Sequence, residues 1–162
     1  NVLVKNVMDI QMIVIFFIDL KYGIIPDKIV FPAIVVSLVY LTISTFYPLS
    51  SNVLPSILYH LSSSVGGFGF MLFLFLATKG KGMGFGDVKL AFLMGLILGF
   101  PGIFYSIYLA FLTGGVFAII LVLWRKKKLK SKIPFGPFLA GNFLLVLYFQ
   151  PQINSLAQSL LP

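Results

Sequence analysis

The chain has no cysteine and no glutamate, and its 162 residues include four aspartates and one histidine. The absence of cysteine excludes disulfides, a thiol nucleophile and thiolate metal sites. A zinc site built from histidine and cysteine is excluded as well, because His60 stands alone. A histidine-activated serine would have to use His60, which is predicted to lie in the half of its helix away from the acids. We therefore expect chemistry in this chain to depend on aspartates, with neither a metal nor a cofactor.

Charged residues are also scarce, at 10% of the chain, whereas 59% of its residues are hydrophobic. Soluble domains carry about a quarter charged residues. The apolar runs are continuous, which indicates helices. We predict an all-α polytopic membrane protein that forms a single domain over residues 1–162. Six spans are predicted, followed by a short interfacial helix from residue 152, and the spans cover about residues 2–20, 29–47, 53–77, 88–99, 103–124 and 135–149.

Positive charge is distributed unevenly along the chain. All lysines and arginines except Lys5 fall in connections on one side of the predicted spans, and the largest group runs from Arg125 to Lys132. The positive-inside rule makes that side cytoplasmic and places both termini outside. The net charge of +8 is therefore interpreted as an orientation signal that also contacts membrane lipid, and no nucleic-acid partner is predicted.

Two acids are predicted to meet on the cytoplasmic side. Asp19 ends the first apolar segment, and Asp87 begins the fourth. Ionisable residues beside membrane segments are costly and indicate function. Two carboxylates that share one proton can hydrolyse a peptide bond, one as general base and the other as proton donor. Because a helix N-terminus favours negative charge, Asp87 is interpreted as the ionised member and Asp19 as the protonated one.

Several residues around this pair are predicted to support it. Gly84 and Gly86 free the backbone and leave room for a substrate strand beside Asp87. Asp27 is interpreted as a helix cap and Lys89 as an interfacial charge, although pairing of Lys89 with an acid or a lipid phosphate stays open. Asp87 acting only as an N-cap, and Asp19 acting only as an interfacial charge, are the structural alternatives.

The motif Gly84-Phe85-Gly86-Asp87 resembles the Gly-x-Gly-Asp motif of intramembrane aspartyl proteases. The wider pattern resembles the type IV prepilin peptidase family. Three stretches carry this resemblance in family order: Phe17-Ile18-Asp19-Leu20 with Ile25-Pro26-Asp27, then Gly82 to Leu90, and then Ile133 to Ala140. The resemblance identifies Asp19 and Asp87 with the catalytic pair and suggests that Pro134 and Gly136 line a substrate groove or shape the start of the last span.

The resemblance implies an aspartic endopeptidase of a prokaryotic cytoplasmic membrane. Its substrates would be prepilins or pseudopilins, cut at the cytoplasmic face between a short basic leader and an apolar helix. Bifunctional members also methylate the new N-terminus with S-adenosylmethionine, using an additional span and a domain with paired cysteines. This sequence contains neither, and it begins with Asn, so it is interpreted as a C-terminal fragment or a peptidase-only form.

Two other functions stay open at this stage. Buried acids, glycines and short helices are also typical of channels and transporters that carry protons or cations. A non-catalytic assembly protein that keeps the fold would present the same sequence pattern. Asp→Asn substitution separates the peptidase from both alternatives, because it abolishes cleavage only in the peptidase.

Overall fold

The computed structural model describes residues 2–46, 53–124 and 134–160. These residues form six α-helices and no strand. The helices are α1 (Val2–Tyr22), α2 (Asp27–Phe46), α3 (Val53–Ala77), α4 (Phe85–Leu98), α5 (Gly102–Leu123) and α6 (Gly136–Leu160). The prediction of an all-helical protein is therefore confirmed for the part of the chain that the structure describes.

Most helix boundaries lie within two residues of the predicted ones, but the start of α4 does not. The sequence predicted a fourth span from about residue 88, preceded by a glycine-rich connection that includes Gly86, whereas α4 begins at Phe85. The prediction was wrong because Gly86 was interpreted as a loop residue. It belongs to the helix, where its lack of a side chain lets the backbone approach Ile25 closely.

The predicted separate interfacial helix at the C-terminus is also wrong. Helix α6 continues through Pro151 as a single helix to Leu160. Ile153, beyond the proline, packs against the hydrophobic core. Burial of this side chain favours continuation of the helix over a separate segment, and proline inside apolar helices is tolerated where neighbouring helices support the backbone.

Helix α4 forms the centre of the bundle. It contacts α2, α3, α5 and α6, while α1 packs against α2 and α6. Gly95 lets α4 approach α3, because a Cβ at that position would overlap the backbone of Ser64. Gly67 on α3 also allows the two helices to approach, because a Cβ at that position would lie 3.3 Å from the carbonyl oxygen of Ala91 on α4. Small residues at such crossings allow close helix packing.

Two helical segments among the described residues are long and apolar enough to cross a membrane, by length and composition. They are Pro55–Ala77, of 23 residues, and Gly102–Leu121, of 20 residues. The coarse prediction of a membrane protein agrees with these two segments. The six spans stay a prediction, and the basic run from Arg125 to Lys132 lies outside the described residues.

Candidate active site

Asp87 lies in the first turn of the central helix. Gly84 is the N-cap of α4, so Asp87 stands at its third position rather than at the cap. The Gly84 N–H donates a hydrogen bond of 2.9 Å to Oδ2 of Asp87. Although helix starts are usually solvated, Asp87 is only 4% exposed. A buried carboxyl with one backbone partner is costly to ionise. A capping role alone therefore does not explain why an acid lies at this position.

Asp19 lies near the end of α1 and is also 4% exposed. Its carboxylate lies directly against Gly136, the first residue of α6, and interacts with the backbone N–H of that residue. A Cβ at position 136 would overlap the Asp19 carboxylate. Gly136, predicted as a supporting residue, is therefore in contact with one of the two predicted catalytic acids.

Ile25 connects the surroundings of the two acids. A Cβ on Gly86, which precedes Asp87, would lie 2.8 Å from the Cβ of Ile25. A Cβ on Gly136 would lie 3.1 Å from the Cδ1 of Ile25. The α1–α2 connection therefore packs against the starts of both α4 and α6. Ile25 was not predicted as a site residue, although it opens the Ile25-Pro26-Asp27 stretch that carried part of the resemblance.

Lys89 and Asp27 form an ion pair beside these acids. The Lys89 ammonium lies 2.7 Å from Oδ1 and 2.8 Å from Oδ2 of Asp27. It also lies over the rings of Phe31 and Phe85, at 5.4 and 5.2 Å from their centroids. Pairing of Lys89 with an acid, the alternative left open from the sequence, is confirmed, whereas the favoured interpretation as a plain interfacial charge was wrong. Asp27 is the first residue of α2, and its carboxylate bridges to α4.

The positions of the other predicted residues give less information about the site. Gly84 is exposed, Gly86 is half-buried and Pro134 is half-buried just before α6, while Ile133 lies outside the described residues. Asp9 lies on α1 away from the pair, and its Oδ2 accepts a hydrogen bond from the Tyr148 hydroxyl of α6. His60 lies on α3 against Tyr59, at the end of α4 remote from Asp87.

An apolar groove of about 580 Å³ lies elsewhere, between α3 and α5. Aromatic and aliphatic side chains and glycines form most of its walls. The hydroxyls of Ser62 and Ser63 on the α3 side already donate to the carbonyl of Tyr59. S-adenosylmethionine carries a sulfonium and an amino acid group that need polar partners. This groove does not fit that cofactor.

Comparison with known proteins gives one consistent family. A sequence model described as the type IV leader peptidase family matches residues 7–119, a range that contains both Asp19 and Asp87. The prepilin leader peptidase/N-methyltransferase of Aeromonas salmonicida (strain A449) is 31% identical over 129 residues, which are 80% of this chain and 43% of that protein. The protein of the same name from Burkholderia pseudomallei (strain 1026b) is 26% identical over 144 residues, covering 82% of this chain and 41% of the relative.

The chain thus spans about two fifths of the length of these curated relatives. No solved structure gives a significant match. The family match extends over more than half of the chain and includes both Asp19 of α1 and Asp87 of α4. On these grounds the chain belongs to the type IV leader peptidase family.

Proposed function

We propose that this chain is an intramembrane aspartic endopeptidase whose catalytic pair is Asp19 and Asp87. One observation carries the proposal. Two aspartates from different helices, Asp19 and Asp87, are each only 4% exposed, and the glycines that adjoin them, Gly136 and Gly86, pack against the same side chain, that of Ile25. Within the described residues the one ion pair is that of Lys89 with Asp27, so neither buried acid is paired with a cation there. Uncompensated buried carboxyls cost stability, and such sites favour a functional explanation.

In this mechanism the pair holds one proton. The ionised carboxylate takes a proton from water as the water oxygen bonds to the scissile carbonyl carbon. The protonated carboxyl donates a hydrogen bond to the carbonyl oxygen, which gains negative charge. When the C–N bond breaks, the leaving nitrogen takes a proton from the pair. The products are a carboxyl and an amine, and the acids again share one proton.

The proposed substrates are prepilins or pseudopilins, as the names of the relatives suggest. The bond cut would lie between a short basic leader and an apolar helix, at the cytoplasmic face of a prokaryotic inner membrane. Six spans with both termini outside would place Asp19, Asp27 and Asp87 on that face. S-adenosylmethionine is needed for methyl transfer only and takes no part in this peptidase proposal.

The proposal is tested by cleavage of a prepilin substrate in detergent at neutral pH. Asp19→Asn and Asp87→Asn should each lower the rate by at least about 100-fold, since each removes a proton-transferring group. Asp9→Asn is the matched control, because it changes a buried acid that lies away from the pair and keeps an oxygen to accept from Tyr148. Thermal unfolding of all variants checks that they remain folded.

Cleavage before the apolar helix that is lost in both site variants and kept in Asp9→Asn supports the mechanism. Continued cleavage by both site variants would show that another group does the chemistry. A folded native chain that cleaves nothing would count against the peptidase proposal for this chain.

A proton or cation pathway is the second candidate, and Asp9 is the observation that favours it. Asp9 is buried, and its Oδ1 has no hydrogen-bond partner among the described residues. It precedes Asp19 by ten residues of the same helix, a rise of about 15 Å. Buried acids at two depths of one helix are typical of ion relays. Cation flux into vesicles that Asp9→Asn abolishes would support this function over proteolysis.

A further inference from the structure

Asp27 is the exposed carboxylate of an otherwise cationic surface. The chain has twelve lysines and arginines and four acidic side chains, and all four acids lie in the described part. Asp9, Asp19 and Asp87 are buried, whereas the Asp27 side chain is 55% exposed. A cationic ligand approaching this protein from water therefore meets a single accessible acidic side chain.

This carboxylate lies beside the candidate site. Asp27 follows Ile25 by two residues, and Ile25 packs against Gly86 and Gly136 next to the two buried acids. Its ion-pair partner Lys89 follows Asp87 by two residues on α4. A group bound to Asp27 is thus held near the first turns of α4, the helix that carries Asp87.

The existing ion pair leaves capacity for a second cation. Lys89 is only 21% exposed and is held from its other sides by the rings of Phe31 and Phe85. A carboxylate offers about four lone-pair sites, and one ammonium occupies part of them. The exposed half of Asp27 can therefore accept a further ammonium or guanidinium group, although Lys89 weakens that attraction by its own charge.

We propose that Asp27 binds a lysine or arginine of the substrate's basic leader and so determines specificity for positively charged leaders. This inference rests on the proposed function, because the basic leader belongs to that proposal. Asp27 is a binding residue in this view and takes no part in proton transfer. Lys89 has two opposite effects. Its ion pair holds the Asp27 carboxylate in place, but its positive charge also weakens the binding of a second cation to that carboxylate.

This arrangement predicts opposite effects for the two partners of the ion pair. Asp27→Asn removes the acceptor and should raise KM for a substrate with a basic leader by roughly fivefold, with kcat unchanged, as expected for a partly exposed charge pair. Lys89→Met leaves Asp27 uncompensated and should lower KM. If the pair only fixed α2 against α4, both substitutions would act in the same direction.

The experiment measures kcat and KM for the full chain in a neutral detergent. The two substrates carry either the basic leader or a leader in which lysine and arginine are replaced by glutamine. The four proteins are the native chain, Asp27→Asn, Lys89→Met and Asp27→Glu. We expect the effect of Asp27→Asn only with the basic leader, and Asp27→Glu should restore native KM because it keeps the charge.

Equal KM values for native and Asp27→Asn with the basic leader would overturn the proposal. Parallel effects of Asp27→Asn and Lys89→Met would overturn it too, in favour of a structural role. A dependence on leader charge that appears only in vesicles with anionic lipid, and not in neutral detergent, would assign leader recognition to lipid phosphate instead.

A binding measurement keeps this inference separate from the peptidase proposal. Fluorescence anisotropy of a labelled peptide with the basic leader is followed on Asp87→Asn and on Asp87→Asn/Asp27→Asn, neither of which needs to cleave. Weaker binding to the second variant, by roughly fivefold, supports the role of Asp27. Equal binding overturns it, whatever the result of the cleavage assay on Asp19 and Asp87.

Discussion

Gly136 touches the carboxylate of Asp19 with no room for a side chain between them. This contact joins the start of α6 to the end of α1, and the two residues are 117 positions apart in the sequence. The contact also helps to enclose the Asp19 carboxylate, because Ile25 packs against the same glycine. The acid is thus positioned by backbone from one helix and by a side chain from the α1–α2 connection.

Gly136→Ala should therefore abolish cleavage and destabilise the protein by about 1–3 kcal/mol, because the added methyl group overlaps Asp19. Activity assays with thermal unfolding in detergent test both effects. Gly141→Ala in the same helix is the matched control, since a Cβ there would meet Phe16 at an ordinary 3.8 Å. Native activity in the Gly136→Ala variant would show that the Asp19 surroundings tolerate displacement.

Asp87→Asn should stabilise the protein. Asp87 is buried, and within the described residues its carboxyl accepts a hydrogen bond from the Gly84 N–H but has no cation partner. Burial of a carboxyl without a cation costs stability, whereas asparagine keeps an oxygen for Gly84 and carries no charge.

The measurement for Asp87→Asn is the unfolding free energy in detergent at neutral pH, where we expect a gain of about 1–3 kcal/mol over the native chain. Asp27→Asn serves for comparison and should give no such gain, because Asp27 is exposed and paired with Lys89. An Asp87→Asn variant that is no more stable than the native chain would contradict this expectation.

Gly95→Ala should separate the two most closely packed helices. A Cβ at position 95 would overlap the Ser64 backbone, which cannot move aside as a side chain could. We expect a loss of about 3 kcal/mol in unfolding free energy. Gly66→Ala on α3 is the control, since nothing lies within 4 Å of its Cβ position, and alanine there should be neutral or stabilising. Equal stability of the two variants would contradict the described crossing.

Asn142→Leu should weaken the contact between α5 and α6 only slightly. Its Nδ2 donates to the Thr113 hydroxyl at 2.9 Å and to the Phe138 carbonyl at 2.8 Å. Thr113 keeps its own bond to the Leu109 carbonyl, so no buried hydroxyl is left unsatisfied. A double-mutant cycle with Thr113→Val should give a coupling of about 0.6 kcal/mol, the average for hydrogen bonds between membrane helices. A coupling near zero would indicate that water or lipid replaces this bond.

The helices were largely predictable because long apolar runs and turn residues mark them. Helix α3 has the predicted bounds, Val53–Ala77, and α5 starts one residue early. Local rules failed at Gly86 and Pro151, two residue types that usually end helices. Gly86 lies inside α4 and Pro151 lies inside α6, since packing against Ile25 and burial of Ile153 outweigh the local preference.

The acids of the site were predictable, but their surroundings were not. Scarcity of acidic residues and the glycine motif pointed to Asp19 and Asp87, and their catalytic roles stay predictions. The contact of Ile25 with two glycines and the pairing of Lys89 with Asp27, 62 positions away, depend on how α2, α4 and α6 assemble. Periodicity and spacing contain no information on such distant contacts. The burial of both acids is likewise a property of the assembly, and the assignment of Asp87 as the ionised member and Asp19 as the protonated one stays a prediction.

The central position of α4 insulates Asp87 from the surrounding lipid. Beyond Phe85, none of the residues of this 14-residue helix is exposed, whereas α5 presents large apolar side chains such as Phe104 and Ile119 to its surroundings. A change in acyl-chain length or fluidity therefore acts first on the outer helices and reaches Asp87 only through their packing. The immediate surroundings of Asp87 are protein atoms. Exchange of lipid or detergent should therefore change the stability of the fold more than the protonation state of Asp87.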